Sequence, residues 1–434
     1  MPHPADALAA LVDSALVLRI RSGVDARCDV LETFRAYALE RLVSAGEVAD
    51  VRRRHALHYL DVAERDRPPL GHTDIRRRTW LEPETANLRA ALDWALGTEP
   101  ALAGRLAAAL WRWWLDSGRA VEGLGWVDRV LAAPGGPAGV TRAEVLLARG
   151  NLGMNVNRYR SSGEDFAEAQ TIWNRLGETA GEAQALFGLA SAWYRQERPA
   201  EAAGLARRAG ALAERAGDHA CQVRTLALLG AVAEGKGDAP AAKALYARAL
   251  AVARTLGYAP DIARCGAQLA MATLAEGDVT GAAALAEEAV TAGRDSGSLA
   301  ALRFDLMLSG VTALERRDPR SAADRYREAL TVCHDTGQRH EALNCLEGLG
   351  AAAHLAGDRL RAARLFGAAR SAPARRRPAP RTRRRPRLLR PPSRRAAERV
   401  GGRGVPGRMG GGPGDDVRRG GGARAGTRHR VADV

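Results

Sequence analysis

Lysine is nearly absent from this 434-residue chain, where Lys236 and Lys243 stand against 63 arginines, the bias of a GC-rich gene. Cysteine is scarce as well. Cys28, Cys221, Cys265, Cys333 and Cys345 are scattered, odd in number and without a CxxC pair, which excludes a disulfide framework and points to reduced thiols in the cytoplasm. No apolar run approaches the length of a membrane-spanning helix, and "MPHPADALAALVDSALVLRI" has no basic residues ahead of its apolar ones. The expectation is a protein neither secreted nor embedded in a membrane. The motifs of catalysis are missing too: no GxxxxGK[ST], HExxH or GxSxG occurs, and Gly235-Lys236 lacks the following Ser or Thr that would hold magnesium. Neither a cofactor, a metal site nor an enzymatic activity is expected.

A net charge of +15 suggests nucleic acid, but its location matters. Residues 371–434 carry 19 arginines against Glu398, Asp415, Asp416 and Asp433, while residues 1–370 hold 46 bases and 46 acids. All the excess therefore lies in the tail. Two readings of "RSAPARRRPAPRTRRRPRLLRPPSRR" and the glycine-rich stretch after it stay open. One is a disordered arginine-rich arm that binds nucleic acid through phosphate neutralisation. The other is a shifted reading frame, since Val405 to Thr427 can be recoded one base over, with GC-rich codons, into an amphipathic helical sequence.

What the chain has in abundance is repetition with a period of forty. One column holds Ala169, Ala209, Ala249, Ala289, Ala329 and Ala369; another holds Gly177, Gly217, Gly257, Gly297 and Gly337, both without exception. A third holds Gly150, Ala190, Gly230, Ala270, Gly310 and Gly350, where a small side chain lets neighbouring helices cross closely. A fourth runs Ser162, Ala202, Ala242, Ala282, Ala322, Ala362. Between them lies a large residue, Phe166, Tyr246, Tyr326 or Phe366, except at Ala206 and Ala286, where Leu205 and Leu285 one place earlier compensate. Asp238, Asp278, Asp318 and Asp358 mark the break between two helices in four of the units, and Asp238 and Asp278 can cap the following helix through their carboxylates. The recurring glycines suit left-handed helix C-caps.

The small residue of the first helix followed by Ala242, Tyr246 and Ala249 resembles the tetratricopeptide repeat, although units of forty residues ending in glycine depart from its usual 34. Units run 139–178, 179–218, 219–258, 259–298, 299–338 and 339–370. A divergent unit precedes them, with Gly118 and Trp126 in register with Arg158 and Phe166. Near the start, "ALVLRI", "RSGVDA" and "RCDVLE" read as strand, turn and strand, and Phe34, Tyr37, Ala38 and Leu42 lie at helical spacing from Thr33 onward. That order is the end of a winged helix. With "DVLETFRAYALERL", "RRRHALHYLDVAER" and "WLEPETANLRAALDWAL" in sequence, residues 10–370 resemble bacterial STAND-type transcriptional regulators related to the AfsR/SARP and large LuxR-type families. The resemblance implies an NTPase domain ahead of this chain, a winged helix that packs on it, and repeats that sense a protein or small effector in signal transduction. DNA contact would be indirect at most.

Other constellations have plainer readings. His55 and His58 share a helix face but lack a further ligand, and Cys333, His334, His340 and Cys345 match no zinc-finger spacing. Trp111 and Trp114 share a face, so a packed first unit with Trp113 partly exposed is expected rather than a stacking platform. Arg52 to Arg54 and Arg76 to Arg78 read as solvated faces. The expected fold is all-α: a right-handed α-solenoid of six to seven forty-residue helix pairs, preceded by a partial winged helix and followed by a disordered tail. The expected division is 1–45 winged-helix remnant, 46–138 helical linker and divergent unit, 139–370 repeats, and 371–434 tail.

Overall fold

The computed structural model describes residues 4–22, 25–65 and 80–371. The arginine-rich tail beyond Ser371, the run Arg76 to Arg78 and the tip of the hairpin at 23–24 lie outside the described residues. The fold opens with α1 (Pro4–Asp13), then β1 (Val17–Ser22) antiparallel to β2 (Asp25–Val30), then α2 (Glu32–Ala45). The hairpin is tighter than the sequence suggested, because pairing continues past the expected turn through Arg21↔Ala26 to Ser22↔Asp25. Next come α3 (Val48–Glu64), a 3-10 turn at Glu82–Glu84 and α4 (Thr85–Thr98). No helix among the described residues is long and apolar enough to cross a membrane.

Seven helix pairs follow and form the α-solenoid. They are α5/α6 (Pro100–Asp116, Ala120–Ala132), α7/α8 (Gly139–Asn155, Tyr159–Leu176), α9/α10 (Thr179–Arg195, Pro199–Arg215) and α11/α12 (His219–Gly235, Ala239–Leu256). The last three are α13/α14 (Ala259–Ala275, Val279–Asp295), α15/α16 (Leu299–Glu315, Pro319–Asp335) and α17/α18 (Arg339–Leu355, Arg359–Ser371).

The columns find their physical meaning at the helix crossings. A Cβ on Gly150 would lie 2.5 Å from the Phe166 ring; the distances are 2.5 Å for Gly230 and Tyr246, 2.8 Å for Gly310 and Tyr326, and 3.0 Å for Gly350 and Phe366. Each ring thus fills the space a side chain would need. The next unit closes over two of these rings, since a Cβ on Gly188 would lie 2.6 Å from Phe166 and one on Gly348 would press into Tyr326. Where the ring is Ala286 instead, Leu308 of the following unit packs into its cluster, with Leu285 partly buried beside it. Leu205 likewise packs partly buried against Phe166 and Leu189. Ala169, Ala209, Ala249, Ala289 and Ala329 are all fully buried. Burying one such ring stabilises by about 2 kcal/mol.

Turn chemistry ends each helix where the sequence changes. Gly177, Gly217, Gly257, Gly297 and Gly337 sit at φ between +60° and +73° after the second helices. The carboxylates of Asp238, Asp278, Asp318 and Asp358 accept backbone N–H bonds of 2.8–3.1 Å from the third residue on. At the mid-unit turn Gly237, Gly277 and Gly357 adopt positive φ, but Asn157, Glu197 and Arg317 are forced into the same left-handed conformation.

The divergent first pair reverses the pattern. Trp114 of α5 sits against Gly123 of α6, where a Cβ would come within 2.8 Å of the indole, so the ring comes from the first helix. Trp126, aligned by sequence with Phe166, is only half-buried beneath the Arg129 guanidinium at 4.6 Å. Trp113 was expected partly exposed but is buried at 3% exposure, because α3 and α4 add a layer over α5 that the repeat pattern does not contain.

Candidate functional site

Two surfaces stand out from this regular packing. The first is α2. Its 14 residues include none that is buried, although Phe34, Tyr37, Leu39 and Val43 are large apolar side chains. Phe34 and Tyr37 lie on one side of the helix and Leu39 and Val43 on the opposite side, and both sides are open. By contrast α3, the next helix, buries Ala56, Leu60 and Ala63.

The second is a cleft of about 360 Å³ at the start of the regular repeats, walled by Leu124 and Asp128 of α6, Arg149 and Gly153 of α7, and the first three turns of α8. Arg149 bridges its walls. Its Nε and Nη2 donate to Oδ1 of Asp165 at 3.0 and 2.5 Å, and its Nη1 reaches Asp128 at 3.4 Å. Asp165 is 6% exposed, and burial, opposed by Arg149, holds its carboxyl above the ordinary carboxylate range. Burial works against the Arg149 charge, but Asp165 outweighs it and the guanidinium titrates above its ordinary value. Glu168, at the far end, is paired with Arg142 at 2.7 Å. Sequence reading missed this cleft, although Arg149 and Asp165 could have been flagged as charges in apolar columns.

Between the repeats, the first helices of successive units pack on one another from α7 to α17, which crowds them on the inner side of the solenoid. Phe187 of α9 lies there half-buried under Arg224 of α11, whose guanidinium is 4.9 Å from the ring.

The other sequence candidates separate. The glycines and alanines of the four columns are packing and capping positions, and the structure brings none of them together as a chemical site. Among the described residues no group of three or more metal-ligating side chains occurs. His55 is packed on Tyr59, with burial lowering its pKa, and His58 lies edge-on to the same ring. Cys333 and Cys345 are buried, the latter pushed up to about 12 by burial, so neither is a ready thiolate. His334 is exposed beside Asp335 and does not join them.

No family model matches the chain. Over 130 residues it is 37% identical to proteins of Mycobacterium bovis and Mycobacterium tuberculosis whose names mark them as candidate HTH-type transcriptional regulators. The match takes in 29% of this chain, and the chain spans only 14% of the length of these curated relatives. Among solved structures, the chain resembles a Signal Transduction ATPase with Numerous Domains (STAND) protein with a tetratricopeptide repeat sensor from Pyrococcus horikoshii. That likeness has a TM-score of 0.53 and 14% identity, and covers 85% of this chain and 58% of the other. It also resembles a Rap protein solved with competence and sporulation factor, at a TM-score of 0.50 and 11% identity, covering 74% of this chain and 86% of that one. The solenoid is a tetratricopeptide-like fold, and at these identities the likeness is one of fold alone.

Proposed function

We propose that this chain is the sensor portion of a bacterial transcriptional regulator of the STAND type. In this reading residues 139–370 bind a protein or small effector, residues 46–138 join them to the winged-helix remnant of residues 1–45, and that remnant packs on an NTPase domain encoded upstream. The chain works in the cytoplasm, contributes no catalytic residue or cofactor of its own, and touches DNA only through its partner. The AfsR/SARP and LuxR-type resemblance belongs to the same proposal.

The observation that carries it is α2. A helix that leaves Phe34 and Tyr37 on one side and Leu39 and Val43 on the other in water is incomplete by itself, since so much exposed apolar surface is ordinarily covered. The similarity to candidate HTH-type regulators and the fold of a STAND sensor support the same assignment. Effector binding would shift the NTPase between states only by as much as the effector distinguishes them.

The test begins with the genomic locus ahead of Met1 and co-expression of the P-loop segment found there. The expected result is co-purification that Phe34→Asp with Tyr37→Asp weakens, and nucleotide hydrolysis that changes when residues 139–371 are removed. Absence of a P-loop segment, or hydrolysis indifferent to the solenoid, would sink the proposal.

A further inference from the structure

The repeat supplies its own reference for what each position needs structurally. In the column of Arg149 the other units carry Leu189, Leu229, Leu269, Ser309 and Leu349; in the column of Asp165 they carry Leu205, Leu245, Leu285, Arg325 and Leu365. Four units therefore use a leucine pair, and Leu269 packs with Leu285 in one cluster as Leu349 does with Leu365 in another. The 139–178 unit replaces that pair by a half-buried arginine and a buried aspartate. Exchanging an apolar contact for an ion pair with one charge buried does not by itself stabilise a fold.

The departures continue around the same cleft. Arg158 stands where four units place the capping aspartate, so no side chain caps α8. No ion pair of Arg158 occurs among the described residues, and Ser161, whose hydroxyl donates to the Arg158 carbonyl at 3.2 Å, lies at the same helix end. Ser162 replaces an invariant alanine; its hydroxyl has no hydrogen-bond partner, at 1% exposure, and lies against Gly153 in the cleft wall. Both Arg149 contacts fall on Oδ1 of Asp165, which leaves Oδ2 without a hydrogen bond. The 299–338 unit shows what a closed polar substitution looks like. There Ser309 and Arg325 both donate to Glu287, and the set satisfies itself.

We infer that the cleft binds a small dipolar molecule, with a carboxylate at one end and an ammonium or guanidinium group at the other. The carboxylate sits at the uncapped start of α8 with Arg158 and Ser161, where free N–H groups and the helix dipole favour an anion. The cation sits on Asp165 and Asp128, with Glu168 beyond. Arg149 and Arg142 face this end too, and the three carboxylates outnumber them. Arg158 and Asp165 are seven residues apart on one helix, about 10 Å at 1.5 Å per residue. That separation suits a basic amino acid or a two- to three-residue peptide with free termini, and the cleft volume suits either.

The inference deepens the sensor reading and rests on it for its biological meaning. It is tested by titration calorimetry on the full chain with arginine, lysine and trialanine, against trialanine acetylated and amidated at its ends. Binding by a free amino acid or by the free peptide identifies the source; in either case the blocked peptide should bind at least about tenfold more weakly. Arg149→Leu with Asp165→Leu restores the pair used elsewhere in the solenoid, so it should melt no lower than the parent yet lose at least about tenfold in affinity. Arg158→Asp, which restores the cap, should do the same. Heat from none of the probes at about 1 mM, or undiminished binding in both folded variants, overturns the inference. No NTPase is needed, so this outcome and that of co-purification are read separately.

Discussion

Phe166 is held between Gly150 and Gly188, and a methyl group on either would press into its ring. Gly150→Ala and Gly188→Ala should each lower stability by roughly 1–3 kcal/mol through overpacking. Gly204→Ala, with nothing within 4 Å of the added Cβ, should raise it by roughly 0.5–1 kcal/mol. Urea melts of the three variants check both signs. Asp305 is the other residue with a sharp expectation. It is 2% exposed, Oδ2 has no partner, and burial pushes its carboxyl up to about 8. The folded state then keeps a proton that the unfolded chain releases near pH 4. Stability from this group is full below about pH 4 and falls as the pH rises towards 8, by on the order of a few kcal/mol. Asp305→Asn should flatten that dependence between pH 5 and 8; an unchanged slope would remove Asp305 as its source.

At the scale of the element, the turns decide which units are strained. Glu197 and Arg317 hold positive φ where Gly237, Gly277 and Gly357 stand in other units. Left-handed backbone costs a non-glycine residue roughly 1–2 kcal/mol, part of which glycine offsets by its greater freedom when unfolded. Glu197→Gly and Arg317→Gly should therefore each stabilise by about 0.5–1 kcal/mol net, read as a shift in the denaturation midpoint. Asp278→Ala should do the opposite, since it removes the 2.8 Å bond to the Gly281 N–H and costs about 1 kcal/mol. Sequence alone placed the Asp278 cap, but not the left-handed Glu197, because a forced conformation depends on the helices it joins.

For the molecule as a whole, stacking distributes stability unevenly. Helices α5 and α6 sit in the largest cluster of buried side chains, covered by α3 and α4 as well as by α7. Helix α2 has no buried residue. Native-state hydrogen exchange on the isolated chain should find the α2 amides opening by local fraying at little free-energy cost, and α5 amides exchanging only on much larger opening. Slow exchange in α2 would mean that its exposed apolar side chains are already covered. The cleft of Arg149 and Asp165 is a feature of one unit laid over a scaffold common to all.

The sequence by itself determined the period, the helix pairs, their glycine ends and the small-residue columns at the crossings. These are local patterns repeated six times, and repetition turns a weak signal into a firm one. Tertiary structure alone decided the rest. Trp113 is buried because α3 and α4 lie over α5, and Leu308 fills the space beside Ala286 from the next unit. Arg149 and Asp165 are sixteen residues apart and read separately as ordinary charges. Only the antiparallel packing of α7 on α8 brings them within hydrogen-bonding distance, where the half-buried Arg149 satisfies the buried Asp165 carboxylate.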